Sequence, residues 1–242
     1  MIMPNYNGDK YLEKSINSFL WQNYQNKELV IIDGKSTDKS PKIIARYVRK
    51  YQNIKWVKIK DKGISDAINI GVKKSQGDLI GYLGSDDFLY KDIFDEIAYN
   101  YRLINFDAIY FDSITHFVKK NRIIFRSCPN LKITRINLIR FGTIVGLQNI
   151  YFKRHVFDKY LFDKSMKLAM DFDFLLKISN RGYLFHYVNT IASINVQDGN
   201  ISTNRSSAQR KETIQAMKRY AKSPIEKLLL MIKKVQFQLW QN

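Results

Sequence analysis

The sequence predicts an α/β protein: a mainly parallel sheet with helices on both faces, followed by basic amphipathic helices at the C-terminus. Two observations carry that reading. Short apolar or β-branched runs alternate with stretches of helical periodicity from the first residue to about residue 83, an alternation that implies parallel strands joined by right-handed crossovers. Each run also ends in a polar, turn-forming cluster, as strands do where they leave a buried sheet. At 242 residues and 45% hydrophobic, the chain can bury a sizeable core.

The elements follow in order. Residues 1–4 form a clipped apolar start before Asn5, Tyr6, Asn7 and Gly8, a turn cluster. Leu12, Ile16, Phe19 and Leu20 recur at helical spacing and predict a helix over 10–22. The run 29–32 is a strand ending in Asp33, Gly34, Lys35, Ser36, Thr37 and Asp38. Pro41 opens a helix carrying Ile43, Ile44, Tyr47 and Val48. Residues 54–59 alternate Lys with apolar side chains and read as a strand near an edge; 67–72 belong to a helix. The apolar run 79–83 is a buried strand that ends in Ser85, Asp86 and Asp87. A parallel sheet brings three such clusters, 5–7, 33–38 and 85–87, to one edge, where ligands bind in open α/β sheets. Adjacent carboxylates repel unless a cation lies beside them, and a divalent metal carrying a diphosphate is one such cation. The alternative is that residues 85–87 only cap the helix expected from 91 to 105. Asp33 has a similar alternative, a local turn ahead of the next helix.

A strand over 108–111 ends at Asp112, and the character then changes. Between Ser113 and Phe157 no acidic residue occurs, whereas Lys119, Lys120, Arg122, Arg126, Lys132, Arg135, Arg140, Lys153 and Arg154 are basic. This is either a solvated face or a floor for a lipid-linked pyrophosphate or anionic headgroups. An aromatic strand lies in 148–152. A helix over 167–181 buries Phe172, Leu175 and Leu176 and places Asp171 near its start, with Asp173 as a structural carboxylate. Residues 195–204 are turn-rich, suited either to a plain surface loop or to a mobile one that excludes water. Beyond 205 the chain is basic and amphipathic, divided by Pro224 into two helices that either dock on the domain or lie at a membrane surface. The organisation expected is 1–112, 113–204 and a tail over 205–242.

The balance of 40 Lys and Arg against 22 Asp and Glu gives a formal charge of +18 and points to anionic partners: nucleic acid, acidic lipid or a phosphorylated substrate. The lone Cys128 excludes an internal disulfide and a Cys-rich zinc site and suits a reducing compartment. The three histidines lack metal-ligand spacing. No signal peptide and no run long enough to cross a bilayer is read, so a cytoplasmic protein with at most peripheral membrane contact is expected. Neither a P-loop nor a Gly-x-Gly-x-x-Gly fingerprint is found.

Four segments in this order, MPNYNG at 3–8, ELVIIDGKSTDKS at 28–40, DKGISDAINIGVKKSQGDLIGYLGSDD at 61–87 and MDFDFLLKISNRGY at 170–183, resemble the family 2 glycosyltransferases of the GT-A, Rossmann-like fold. The nearest resemblance is to bacterial enzymes that build O-antigen, capsule or exopolysaccharide. The resemblance implies inverting transfer of a hexosyl or N-acetylhexosaminyl group from a nucleotide-diphosphate sugar, UDP by family habit, with Mg²⁺ or Mn²⁺. It implies further that Pro4, Tyr6, Asp33, Asp66, Asn69 and Asp86 line the nucleotide site, that Asp87 and Asp86 hold the metal, and that Asp171 is the catalytic base. Many relatives carry an acidic residue where this chain has Gly84, a His where it has Leu147, and Glu-Asp where it has Met170 and Asp171. Gln148 remains as an acceptor contact. The acceptor implied is a glycan on polyprenyl diphosphate, met at the inner face of the cytoplasmic membrane through the C-terminal tail, and no nucleic acid is expected. Two other readings stay open: a polyanion-binding or nucleic-acid-binding protein, and a nucleotide-sugar binder without turnover.

Overall fold

The computed structural model describes residues 1–60, 62–128, 131–198 and 206–239. The first half alternates as its periodicity requires: β1 (Ile2–Asn5), α1 (Asp9–Leu20), β2 (Leu29–Asp33), α2 (Ser40–Lys50), β3 (Ile54–Lys58), α3 (Ile64–Lys74) and β4 (Leu79–Gly81). After these come β5 (Phe88–Leu89), α4 (Ile93–Leu103), β6 (Ala108–Phe117), β7 (Arg122–Arg126), α5 (Arg135–Phe141), β8 (Ile150–Lys153), α6 (His155–Lys159), α7 (Met170–Ile178) and β9 (Phe185–Gln197). Two helices close the described chain, α8 (Ser206–Tyr220) and α9 (Pro224–Leu239).

Strands β1, β2 and β3 form a parallel sheet in that order, with β3 at the edge as its alternation with lysine suggests. A second sheet runs β4-β8-β6-β9-β5, with β7 paired to β6. A parallel bridge from Ile2 to Tyr82 ties the two sheets together. Parallel pairing thus governs the first half. In the second half only β6 and β9 are parallel, and the pairs β4–β8, β8–β6, β5–β9 and β6–β7 are antiparallel.

Strand β2 shows why helices cover both faces. Its residues are all buried, Val30 and Ile32 in one cluster and Leu29 and Ile31 in the other. The first cluster takes Ala67, Ile68 and Val72 from α3, Leu138 and Ile139 from α5, and Phe172 and Leu175 from α7. The second takes Leu12, Ile16 and Phe19 from α1, Ile44 from α2, and Ile93 and Ile97 from α4. A strand buried on both faces needs a continuous apolar run, which the sequence of β2 supplies.

Strand β9 is not legible in the sequence. It lies between β6 and β5, yet buries Ser193 and Asn195 beside Ala192 and Val196. Their polarity is satisfied internally, Ser193 Oγ lying 2.7 Å from Asn149 Oδ1 and 2.8 Å from Asn195 Oδ1, so the apolar pattern that marks a buried strand is broken. The tail does divide at Pro224. Ala216 and Met217 of α8 and Leu230 of α9 are buried in the domain core, while Arg135 pairs with Glu226 at 2.6 Å.

Candidate active site

The ends of β1 and β2 are laced together. Paired across the ladder, Asn5 and Asp33 lie side by side, and Asn5 Nδ2 donates to Asp33 Oδ1 and to Ser36 Oγ, each at 3.1 Å. Ser36 Oγ donates to Asp33 Oδ1 at 2.5 Å and accepts from Asn7 N at 2.9 Å, and Thr37 N donates to Asn7 Oδ1 at 2.9 Å. Asn7 and Lys35 hold left-handed backbone, at φ 51° and 62°, where these turns reverse. Lys35 has neither the freedom of Gly nor the local hydrogen bonding of Asn, so the loop stores strain of order 1 kcal/mol. A Cβ at Gly8 would sit 2.6 Å from Asn5 Oδ1 and 2.7 Å from Ser85 Oγ, so the third cluster, at 85–87, closes against the same turn.

That third cluster follows β4. Ser15 Oγ holds the Gly84 carbonyl at 2.8 Å, and Asp87 N donates to the same carbonyl at 3.2 Å. A Cβ at Gly84 would meet Asp87 Oδ2 at 2.7 Å and Asp86 Oδ1 at 2.9 Å, so the two carboxylates converge over the space that a side chain would fill. Asp87 Oδ1 also accepts from Val196 N at 3.2 Å, which joins the pair to the end of β9. Burial, and then the neighbouring Asp86 charge, push the Asp87 carboxyl up to about 8, against the pull of the Val196 N–H. The pair does not cap α4, which starts at Ile93 behind Asp92 in left-handed backbone with no side-chain cap bond.

This donor set fits a hard divalent cation. Two converging carboxylates, one of them destabilised as an anion, suit a metal that keeps its remaining sites for water or phosphate oxygen. Among the described residues no group of three or more His, Cys, Asp or Glu is placed to hold a metal by protein ligands alone.

Asp171 comes from a separate element. It lies in the first turn of α7, half-buried, with Oδ1 accepting from Phe172 N at 2.7 Å, and burial raises its carboxyl above the ordinary range. The link is Tyr82, a residue not expected from the sequence. Its hydroxyl is held in the protonated form by burial and, after that, by the charges of Asp87, Asp86 and Asp171. The charge of Asp171, from a part of the chain distant in sequence, thus acts on the same hydroxyl as the charges of Asp86 and Asp87. A Tyr after a buried strand reads as packing, so only the assembled sheet shows what its tip faces.

The other expected site residues are placed as follows. Tyr6 is 69% exposed at the rim, free to stack on a ring, and Pro4 is half-buried on β1 opposite Ile32. Asp33 lies at the end of β2. It is 0% exposed and its Oδ1 braces Asn5 and Ser36, while its Oδ2 and Asn5 Oδ1 are buried without a hydrogen-bond partner. The Asn69 amide is bonded to the backbone of Phe162, accepting from N at 3.0 Å and donating to O at 2.9 Å. Asp66 is also buried, pairing with Lys164 at 2.6 Å and accepting from Lys62 N at 3.1 Å. The Lys164 contact, ahead of the Lys62 N–H, holds its carboxyl below the usual range against the pull of burial. Gln148 is half-buried and folds over Gly146, whose Cβ would lie 2.9 Å from Gln148 Nε2. Asp173 is fully buried and lies 3.1 Å from Arg219.

Three members of the basic stretch are engaged within the protein. Arg154 binds the carbonyls of Gly77 and Val72, Arg135 pairs with Glu226, and Lys153 lies over the rings of Tyr101 and Phe106. Of the turn-rich stretch, Asn195, Val196 and Gln197 end β9 and Asp198 accepts from Tyr11 Oη at 2.9 Å. Residues 199–205 and Trp240 lie outside the described residues.

Comparison with known proteins bears on this geometry. A glycosyltransferase of Rickettsia typhi, RT0329, named as uncharacterised, is 25% identical over 96% of this chain and 74% of its own length. One from Haemophilus influenzae, also named as uncharacterised, is 46% identical over 38% of the chain, which spans 37% of that relative. Among solved structures, residues 1–349 of Staphylococcus aureus TarS in complex with UDP-GlcNAc superpose with a TM-score of 0.76 at 18% identity, over 91% of this chain and 64% of that one. The mannosyltransferase PcManGT of Pyrobaculum calidifontis, in complex with GDP-Man and Mn²⁺, superposes with a TM-score of 0.67 at 17% identity, over 98% of this chain and 69% of that one. These likenesses show the fold, a GT-A α/β architecture. The sequence profile of glycosyl transferase family 2 matches residues 1–161, two-thirds of the chain including Asp86 and Asp87, and the chain belongs to that family.

Proposed function

We propose that this chain is a metal-dependent inverting glycosyltransferase that moves a sugar from a nucleotide-diphosphate donor, a UDP-sugar, to a glycan acceptor carried on a lipid diphosphate in surface polysaccharide synthesis. The observation that carries it is the convergence of Asp86 and Asp87 over Gly84 at the sheet edge where Tyr6 is exposed, with the charge of Asp171 acting on the neighbouring Tyr82 hydroxyl. The UDP-GlcNAc in the TarS complex supports the donor class, and the teichoic acid biosynthesis protein GgaB of Bacillus subtilis, 35% identical over 40% of this chain, supports the acceptor class.

Tyr6 stacks on the base, and Asp86 and Asp87 would hold Mg²⁺ or Mn²⁺ against the donor diphosphate. Bound there, the cation supplies charge stabilisation to the departing nucleoside diphosphate. Asp171 Oδ2, the oxygen not engaged by Phe172 N, takes the acceptor hydroxyl proton. The acceptor oxygen bonds to the anomeric carbon as the carbon–oxygen bond to the diphosphate breaks, and the diphosphate leaves with that electron pair. A base raised by burial suits proton transfer near neutral pH better than an ordinary carboxylate. Residues 1–112 serve the donor and 113–204 the acceptor.

The reading places the protein in the cytoplasm, peripheral to the membrane through α9. That helix keeps Ile225, Leu228, Met231, Ile232 and Val235 at 47–62% exposure, and each basic side chain near an anionic surface adds about 1 kcal/mol. Among the described residues no helix is long and apolar enough to cross a membrane.

The test is a thermal-shift panel of UDP, GDP, dTDP and CDP with Mn²⁺ or EDTA, followed by turnover of the sugar donor of the best nucleotide. Metal-dependent stabilisation by one nucleotide, with turnover lowered on the order of 10²–10⁴-fold in Asp171→Asn and nucleotide binding kept, is the expected result. Stabilisation by nucleic acid alone would sink the reading in favour of polyanion binding. Nucleotide binding without turnover would mark a binder only. Flotation with phosphatidylglycerol vesicles, lost in Leu228→Glu, tests the membrane contact.

A further inference from the structure

The residues that lead into α7 are gripped from two sides. On one, Ser65 Oγ donates to Met166 O at 2.6 Å, and Asn69 holds both backbone groups of Phe162. On the other, helix α8 contributes three side chains. Glu212 Oε2 accepts from the backbone N–H groups of Lys167, Leu168 and Ala169 at 3.0, 2.7 and 3.0 Å. Gln209 Nε2 donates to Leu168 O at 3.3 Å, and Arg219 reaches Asp163 at 2.6 Å and Asp173 at 3.1 Å. Beneath them the Phe162 ring stacks on Phe174 of α7 at 4.3 Å.

Three successive N–H groups turned onto one oxygen make an anion nest, a fixed patch of positive potential that free backbone does not hold without a partner. Here the partner is a carboxylate of the C-terminal helices, and the nest ends two residues before Asp171. The backbone that aims Asp171 is therefore set by a side chain from the tail, not by the sheet. Ala169 also accepts the Asp173 N–H at 2.9 Å, so movement of the nest passes directly into the first turn of α7.

We infer that Glu212 is a positioning residue for the reaction, binding the nest at residues 167–169 so that Asp171 meets the acceptor hydroxyl, and that α8 is part of the catalytic apparatus. This rests on Asp171 being the base. A displacement of about 1 Å at a reacting group can cost on the order of 10²-fold in rate without touching donor binding. Asp86, Asp87 and Tyr6 lie on other elements, so loss of Glu212 lowers kcat and leaves the donor KM in place. Gln at 212 keeps an acceptor oxygen and restores part of the rate.

The experiment measures Mn²⁺-dependent UDP release from UDP-GlcNAc, or from the sugar of whichever nucleotide gives the largest Mn²⁺-dependent thermal shift, for wild type, Glu212→Ala, Glu212→Gln, Asp171→Asn and Arg135→Ala. Arg135→Ala is the control, since it loosens α9 through Glu226 and leaves the nest intact. Expected are a kcat lowered about 10- to 100-fold in Glu212→Ala with donor KM within about twofold of wild type, a smaller loss in Glu212→Gln, and near wild-type kcat in Arg135→Ala at an equal or larger drop in Tm. Hydrogen exchange must show faster exchange of the 167–169 amides in Glu212→Ala. Unchanged kcat in Glu212→Ala, or kcat and donor affinity lost together, overturns the inference while Asp171→Asn remains inactive. If Asp171→Asn turns over like wild type, or wild type turns over no donor, the proposed function falls first and the inference with it.

Discussion

Asp87→Asn should stabilise the metal-free protein while destroying its use of metal. The ordinary carboxyl value is 3.8, and burial and Asp86 lift Asp87 to about 8, so between those values the folded state holds a proton that the unfolded state has released. Stability therefore falls as pH rises through this window, and the penalty saturates above about pH 8. At pH 7 its ceiling is about 4 kcal/mol, at 1.36 kcal/mol for each unit of separation. Asp87 is partly exposed, and screening by water cuts this by roughly half, to about 2 kcal/mol. Asparagine carries no such penalty and still offers Oδ1 to the Val196 N–H. In EDTA at pH 7 the variant should melt roughly 4–8 °C above wild type, at about 2–4 °C per kcal/mol for a chain of this size. The gap should close toward pH 4, where wild type is protonated in both states. With Mn²⁺ and UDP the order should invert, because only wild type gains from the ligand. Differential scanning calorimetry from pH 4 to 8.5 measures all three, and a gap that is absent or flat with pH would refute the placing of Asp87 as a buried, repelled carboxylate.

Asn69→Ala should lower stability by about 2–4 kcal/mol, since a backbone donor and acceptor of Phe162 lose their partner, while the Kd of UDP with Mn²⁺ stays unchanged; a weakened Kd would return Asn69 to the nucleotide site. Arg135→Ala leaves Glu226 buried with only its two backbone N–H contacts, from Lys222 and Ser223, and should cost about 1–3 kcal/mol. Protease sensitivity confined to the tail would show it. Burial opposes ionisation of Glu226, but Arg135 and those N–H groups hold its carboxyl below the usual range. Tail docking should thus be complete above the ordinary carboxylate value and be lost as pH falls through the lowered one. Tyr6→Ala should weaken UDP by about 1–3 kcal/mol through lost stacking, and an unchanged Kd by calorimetry would remove Tyr6 from the base site.

The first half of the fold was legible in the sequence because parallel strands buried on both faces must be continuously apolar, and their ends must turn in polar residues. Local chemistry alone fixed the order of elements to residue 83, the edge position of β3 and the division of the tail at Pro224. The acidic pair, Tyr6 and Asp171 stood out as polar residues at strand ends and a helix start. What periodicity cannot carry is distance between elements. Asp66 and Asn69 look like ligand-facing residues in the chain, yet each is bonded inside the protein, to Lys164 and the Lys62 N–H and to the backbone of Phe162, because buried backbone groups must be satisfied before a ligand arrives. Strand β9 escaped notice because Ser193 and Asn195 interrupt its apolar run in the core. The approach of Asp171 to Tyr82 and the acidic pair, and the meeting of Glu212 with the nest before Asp171, came only from tertiary structure: these groups are brought together across long sequence separations by the packing of apolar faces elsewhere, and nothing local to any one of them records its partner.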